Sequence, residues 1–133
     1  MKKLFLLVAL VIGMASITQA QAPKRMSVAV GDTLVNTDTL YKTFDISAGY
    51  AVVGVQVVVT KISGTVAGNV ILQKTMDGTN WQNVDTLVLS NVATNAEMFE
   101  FQAPAAGKMR VQFISAGTQS YTPRIWTVFR KHD

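Results

Sequence analysis

In residues 108–115, KMRVQFIS, polar and apolar side chains alternate from Lys108 to Phe113. Met109, Val111 and Phe113 fall on one side of an extended chain, and charged or amide side chains fall on the other. A period of two residues with one apolar face and one polar face predicts a β-strand that packs on a core and faces solvent on its other side.

Similar runs, rich in valine, isoleucine, threonine and aromatic residues, extend from this strand in both directions and are separated by Gly, Asn, Asp, Ser and Pro. No window of helical length carries apolar residues at a spacing of 3.6. The sequence therefore predicts an all-β domain, a single antiparallel β-sandwich of the jelly-roll or immunoglobulin-like type. The eight predicted strands are Met26–Val30, Thr39–Ile46, Ala51–Ile62, Val66–Thr75, Trp81–Leu89, Ala96–Phe101, Lys108–Ser115 and Thr122–Lys131.

The most apolar of these runs, residues 51–62, contains six valines that fall on both faces of a strand. Such a pattern predicts a central strand covered on both sides. Gly54 interrupts the run, and a glycine inside a strand indicates either a β-bulge or a close approach of another group to the backbone.

The N-terminus has the three-part pattern of a secretory signal peptide: Lys2 and Lys3, the apolar run 4–12, and small or polar residues up to Ala20. The apolar run is short for a membrane span, which needs about 20 residues. We predict a signal peptide over residues 1–20, cleaved after Ala20 rather than Ala22, because Pro23 follows the second site. A polar lead-in, residues 21–25, and a sandwich domain, residues 26–133, would follow.

Composition indicates the compartment of the protein and excludes some classes of partner. Removing Lys2 and Lys3 from the twelve basic residues leaves ten against eight acidic residues, a net charge of +2, with no basic stripe that would indicate nucleic-acid binding. The chain has no cysteine, which excludes disulfides and thiolate metal sites. No apolar run in the mature chain predicts a membrane span. We expect an exported protein, periplasmic, extracellular or on the cell surface.

The strongest local motif is residues 75–81, TMDGTNW. Asp77-Gly78 between two β runs predicts a tight turn, because glycine accepts a positive φ and the aspartate side chain bonds nearby backbone N–H groups. Trp81 follows the turn. Its ring either shields the hairpin or offers a flat face on which a sugar ring could stack.

Residues 70–81, VILQKTMDGTNW, resemble the hairpin of discoidin-type, galactose-binding-like β-sandwiches, and are similar to small sandwich modules of phage virion proteins. Residues 99–101, the loop 103–107 and the start of the strand at 108 resemble the same family's approach to an arginine-bearing strand. The resemblance implies a β-sandwich fold and, at Arg110, a contact to a ligand.

Aromatic and basic residues recur near the end of the chain, at Tyr121, Arg124, Trp126 and Arg130. These residues either belong to a strand whose arginine stems lie on apolar surface or anchor a partner, since Trp and Arg are the types that carry such contacts. The candidate ligand-binding residues are Trp81, Arg110, Tyr121 and Trp126.

The sequence offers no catalytic pair. His132 is the only histidine and lies next to the C-terminus, and the carboxylates are dispersed, so we predict no catalytic residue, no cofactor and no transition-metal site. A calcium site formed by backbone carbonyls together with Asp77 or Asp85 remains an open alternative. Two functions remain: a non-catalytic binding or structural module, with carbohydrate or a protein as partner, or a self-associating subunit of a virion or envelope lattice or fibre.

Overall fold

The computed structural model describes residues 24–26, 33–46, 50–102 and 107–131, and all regular elements among them are β-strands. The strands are β1 (Lys24–Met26), β2 (Leu34–Val35), β3 (Thr39–Asp45), β4 (Tyr50–Gly64), β5 (Gly68–Thr75), β6 (Gln82–Leu89), β7 (Thr94–Gln102), β8 (Lys108–Ser115) and β9 (Gln119–Lys131). The predicted signal peptide lies outside the described residues. Nothing helical in the described part is long and apolar enough to cross a membrane.

The strand pairs are nested around one hairpin. β5 pairs with β6, β4 with β7, β3 with β8, and both β1 and β2 pair with β9, all antiparallel. The result is two sheets, sheet A with the order β1-β9-β4-β7, to which β2 adds at β9, and sheet B with the order β3-β8-β5-β6. This nesting is the strand arrangement of a jelly roll, so the predicted all-β sandwich is confirmed and the jelly-roll alternative is the one adopted.

The core lies between the two sheets, and alternation along the strands fills it. On β4, the side chains of Val53, Val55, Val57 and Val59 are fully buried. Phe113 is fully buried on β8, where the apolar face predicted from residues 108–115 points inward. These inward positions fix the register, because a slip of one residue would turn every one of them to solvent.

The expectation for β4 is right in one part and wrong in the other. The strand is central, since it pairs with both β9 and β7. Its second face, however, is not buried by another described layer: Val52, Gly54 and Val58 are partly exposed and Gln56 is exposed. The valines on this face therefore line a surface of the protein rather than a second core.

The short strands at the start of the chain differ from the prediction. β1 comprises Lys24–Met26, so it includes two residues assigned to the polar lead-in; the predicted strand Met26–Val30 lies outside the described residues except for Met26. β2 was not predicted. Both pair with β9. Backbone hydrogen bonds to an available strand edge require no apolar pattern, so pairing of this kind leaves little signal in the side chains.

Candidate functional site

An open groove of about 340 Å³ lies on the outer face of sheet A. We call it the sheet-A groove. Its lining comes from the three strands β7, β4 and β9, and comprises Val52, Gly54, Gln56, Met98, Glu100, Trp126, Val128 and Arg130. The surface is mostly apolar with a few polar groups, the composition that small-molecule sites share.

The register explains why a groove forms at this place. Gly54 lies between Glu100 on β7 and Val128 on β9. The next outward-facing row contains Met98, Gln56 and Trp126 in the same strand order. Because the central strand carries no side chain at residue 54, the groove reaches down to its backbone between the side chains of the two flanking strands.

Local structure gives no other reason for a glycine at position 54. The pairing is continuous through Gly54, so the strand has no bulge there, and its φ is not in the positive region. A Cβ added to it would meet the Cβ of Val128 at 4.0 Å, an ordinary contact. Glycine inside a strand weakens the strand. Neither of the two interpretations made from the sequence is therefore met at Gly54, because the strand has no bulge there and no other described residue approaches the backbone closely.

Charges in and beside the sheet-A groove are distributed unevenly across the three strands. Arg124 and Arg130 are exposed and share the outward-facing parity of Trp126 on β9, whereas Glu100 is exposed on β7. Within the described residues, the one ion pair joins Lys108 and Asp45 on sheet B, at 3.8 Å. The arginines of β9 therefore have no carboxylate partner in the described part of the chain.

The outer face of sheet B carries a different arrangement, which we call the arginine stack. The guanidinium carbon of Arg110 lies 4.1 Å from the ring centre of Trp81 and 4.7 Å from that of Tyr41. Such cation–π contacts contribute about 0.5–1 kcal/mol at exposed sites and more when desolvated. The two aromatic rings come from the turn before β6 and from the edge strand β3, so the arginine stack ties together three parts of the sheet.

Gln73 of β5 is buried beneath the arginine stack. Its side chain shares the outward parity of its cross-strand neighbour Arg110, yet it is only 8% exposed. Arg110 Nε donates to Gln73 Oε1 at 2.6 Å, and Gln73 Nε2 donates to Asn83 Oδ1 at 2.7 Å. The buried amide thus has partners for both of its polar atoms, as burial of such a group requires.

The turn that precedes Trp81 is held by one carboxylate. Asp77 Oδ1 accepts hydrogen bonds at 2.8 Å from the backbone N–H groups of Thr79 and Asn80 and from the Thr75 hydroxyl. These donors, above all the backbone N–H of Asn80, hold the pKa of Asp77 far below its ordinary value. Gly78 adopts a φ of +77°, as the predicted tight turn requires. The hairpin predicted from the sequence is present.

The four candidate ligand-binding residues do not form one site. Trp81 and Arg110 lie together in the arginine stack, whereas Trp126 lines the sheet-A groove on the opposite side of the sandwich. Tyr121 lies in the core and is fully buried. Its selection as a contact residue was wrong, because it shares the inward-facing parity of Ile125 on β9.

Burial has measurable consequences for the Tyr121 phenol. Desolvation, with a smaller contribution from the nearby charge of Asp38, raises the pKa of Tyr121 to about 12. Its hydroxyl oxygen has no hydrogen-bond partner among the described residues. A neutral phenol held in the core in this way contributes to packing and cannot stack against a ligand.

No group of three or more His, Cys, Asp or Glu side chains that could hold a metal ion occurs in the described part of the chain. The calcium alternative is not supported at Asp77. Both of its carboxylate oxygens already accept hydrogen bonds within the turn, Oδ2 from Asn80 Nδ2 at 2.6 Å. Asp85 likewise accepts from the backbone N–H of Thr86 at 2.8 Å.

No protein-family model and no curated protein matches this sequence. Among solved structures, the chain is similar to a part of tripeptidyl peptidase 2, with a TM-score of 0.56 and 8% identity over 87% of this chain and 10% of that chain. It is also similar to a part of the protein of the T13 IBDV viral particle, with a TM-score of 0.56 and 15% identity over 83% of this chain and 31% of that chain. A structure described as CBM4 aligns with a TM-score of 0.49 and 10% identity over 87% of this chain and 83% of that chain.

The chain spans only 10% and 31% of the first two proteins, whose TM-scores exceed 0.5, and its identity to both is low. Likeness at this level establishes a shared β-sandwich fold and carries no function with it. The β-sandwich resemblance found in the sequence is thereby confirmed at the level of the fold.

Proposed function

We propose that this protein is an exported, non-catalytic binding module that recognises carbohydrate in the sheet-A groove. The observation that carries the proposal is Gly54, a glycine that the strand does not need, placed at the floor of an open groove beside Trp126. A central strand that gives up a side chain loses stability. Access of a ligand to the groove floor explains why this position has a glycine despite the loss of stability.

The chemistry of the lining suits a sugar. A pyranose ring has an apolar face of C–H groups, which packs well against an aromatic ring, and a rim of hydroxyl groups, which need hydrogen-bond partners. Trp126 supplies the aromatic ring, and Gln56 and Glu100 supply an amide and a carboxylate. Amide groups both donate and accept, whereas an ionised carboxylate only accepts, so the two together fit hydroxyls in either role.

The two tryptophans provide a test with an internal control. We expect Trp126→Ala to lower affinity for a bound polysaccharide by at least tenfold, in affinity electrophoresis or calorimetry against a panel of soluble polysaccharides. Trp81→Ala removes the same side chain from the opposite face and should leave that affinity unchanged at a temperature where both variants are folded. Tyr41→Ala, which removes an exposed ring from sheet B, is a milder control.

Equal loss of affinity in the Trp81 and Trp126 variants would contradict the assignment of the site to sheet A. Wild-type protein that binds no polysaccharide of the panel would contradict the proposed function itself.

A self-associating subunit remains the second candidate function. Two edge strands expose apolar side chains: Val88 on β6 is 70% exposed and Met98 on β7 is 64% exposed. Unprotected strand edges of this kind pair readily with other chains. Light scattering coupled to size-exclusion chromatography discriminates between the candidates, since a monodisperse monomer at high concentration would contradict assembly.

A further inference from the structure

The charge pattern around the sheet-A groove identifies a class of ligand, an inference that rests on the proposed function and deepens it. We propose that the groove selects anionic polysaccharides, chains that carry carboxylate or sulfate groups at repeated positions. The structural basis is the placement of Arg124 and Arg130 on either side of Trp126, on one face of β9.

The parity of β9 puts these three side chains in a row. Pairing with β4 is regular from Arg130, opposite Val52, to Thr122, opposite Thr60, so every second residue between them faces outward. At about 3.3 Å per residue, the Cα of Arg124 lies about 7 Å from that of Trp126, and the Cα of Arg130 lies about 13 Å beyond it on the other side.

The spacing favours a polymer over a small anion. The two arginines are separated by about 20 Å along the strand, estimated from the rise per residue. One small anion cannot contact both guanidinium groups at that separation. A linear chain laid along β9 can place one anionic unit at each arginine and the ring between them on Trp126.

Both arginines are available for such contacts. They are exposed, and in the described ranges neither forms an ion pair with a carboxylate. Guanidinium groups bind carboxylate and sulfate-like oxyanions through paired N–H donors. Contacts of this kind at an exposed surface weaken as salt screens the charges.

Glu100 sets the position of the ligand across the groove. It is the one described carboxylate in the groove lining and lies on β7, two strands away from the arginines. An anionic group near Glu100 would be repelled, whereas a neutral hydroxyl could donate to it. The negative charges of the ligand therefore lie over β9 and its uncharged edge lies toward β7.

Dextran and dextran sulfate provide a matched pair of probes, since they differ only in sulfation, and polygalacturonate tests carboxylate in place of sulfate. We expect wild-type protein to bind dextran sulfate or polygalacturonate at least tenfold more tightly than dextran, with affinity that falls as salt rises. The double substitution Arg124→Gln and Arg130→Gln should lower that affinity at least tenfold, and Trp126→Ala should lower it to a similar extent.

The control is the double substitution Lys74→Gln and Lys108→Gln, which removes the same charge from sheet B. It should leave the affinity for either anionic polymer within about twofold of wild type. An equal loss in the two double variants would reduce the effect to net charge and overturn the inference. So would binding to dextran sulfate that Trp126→Ala does not change.

The inference and the proposed function fail in different ways. If neutral polysaccharides bind with dependence on Trp126 but the arginine substitutions have no effect, the preference for anionic chains is wrong and the carbohydrate module stands. If no polysaccharide binds through Trp126, the proposed function is wrong and the inference falls with it.

Discussion

Each of the two sheets carries one tryptophan on its outer face, with arginine nearby. The arginine contacts other side chains of the fold on one sheet and is exposed on the other. On sheet B, Arg110 lies over the ring of Trp81, and its Nε donates to the amide oxygen of the buried Gln73. On sheet A, Trp126 lines a groove that a glycine leaves open, and its neighbouring arginines are exposed. Residue type alone therefore does not distinguish a stabilising contact from a binding surface. The deciding feature is whether the arginine is already satisfied within the fold.

The largest effect on stability is expected from the arginine stack. Trp81→Ala removes the closer of the two rings over Arg110, the residue that donates to the buried Gln73, so we expect the free energy of unfolding to fall by about 2 kcal/mol. Chemical denaturation measures it. Tyr41→Ala removes the more distant ring and should cost less. A loss for Trp81→Ala no larger than that for Tyr41→Ala would contradict the role given to Trp81.

Closing the groove should separate binding from stability most clearly. Gly54→Val adds a β-branched side chain to the centre of the sheet-A groove, where the first added atom has an ordinary contact with Val128. We expect polysaccharide affinity to fall at least tenfold, about 1.4 kcal/mol, while the free energy of unfolding stays equal or rises, because valine favours strands and glycine does not. Gly54→Ala should fall between valine and wild type in affinity.

A Gly54→Val variant that binds as well as wild type would show that the ligand does not reach the groove floor. A variant that unfolds would instead show that position 54 does not tolerate a β-branched side chain, and calorimetry on Gly54→Ala would then decide.

A smaller effect is expected in the turn that places Trp81. The lowered pKa of Asp77 means that its ionised form stabilises the folded state, so this contribution is complete above the ordinary aspartate pKa of about 3.9 and is lost as pH falls toward the lowered value. We expect Asp77→Asn to destabilise the protein at pH 7 and to approach wild-type stability as the pH is lowered below about 4. Denaturation curves at pH 7 and pH 3 test the trend. Glu97→Gln, on the exposed edge of β7, is the control, and a pH-independent difference for Asp77→Asn would contradict the electrostatic explanation.

Most of the fold could be predicted because its strands carry their own patterns. The strand Lys108–Ser115 has the predicted bounds, and the Asp77-Gly78 turn follows from local chemistry. β2 was missed, and Lys24 and Arg25 were not assigned to β1, because an added edge strand depends on its partner's free backbone groups and leaves no periodic pattern in its own side chains.

The site was predictable only in part. Trp126 was selected from its type, but its groove depends on cross-strand neighbours such as Met98 and Glu100, whose register no single sequence states. Tyr121 could have been excluded, since it shares the parity of the buried Ile125. Gly54 was the available signal for the groove, and Tyr41 had none, because its contact with Arg110 comes from a strand 69 residues earlier in the chain.

Because the strand pairs are nested, sheet A can be completed only after the last strand is available. β9 is the partner of β1, β2 and β4, so the valine-rich central strand gains one of its two neighbours only when the final segment of the sandwich is present. Pairings between such distant segments form slowly, and unpaired apolar strands aggregate in the interval. A chain shortened before β9 would leave the backbone of β4 open along one whole edge, and its loss of solubility should be as complete as its loss of structure.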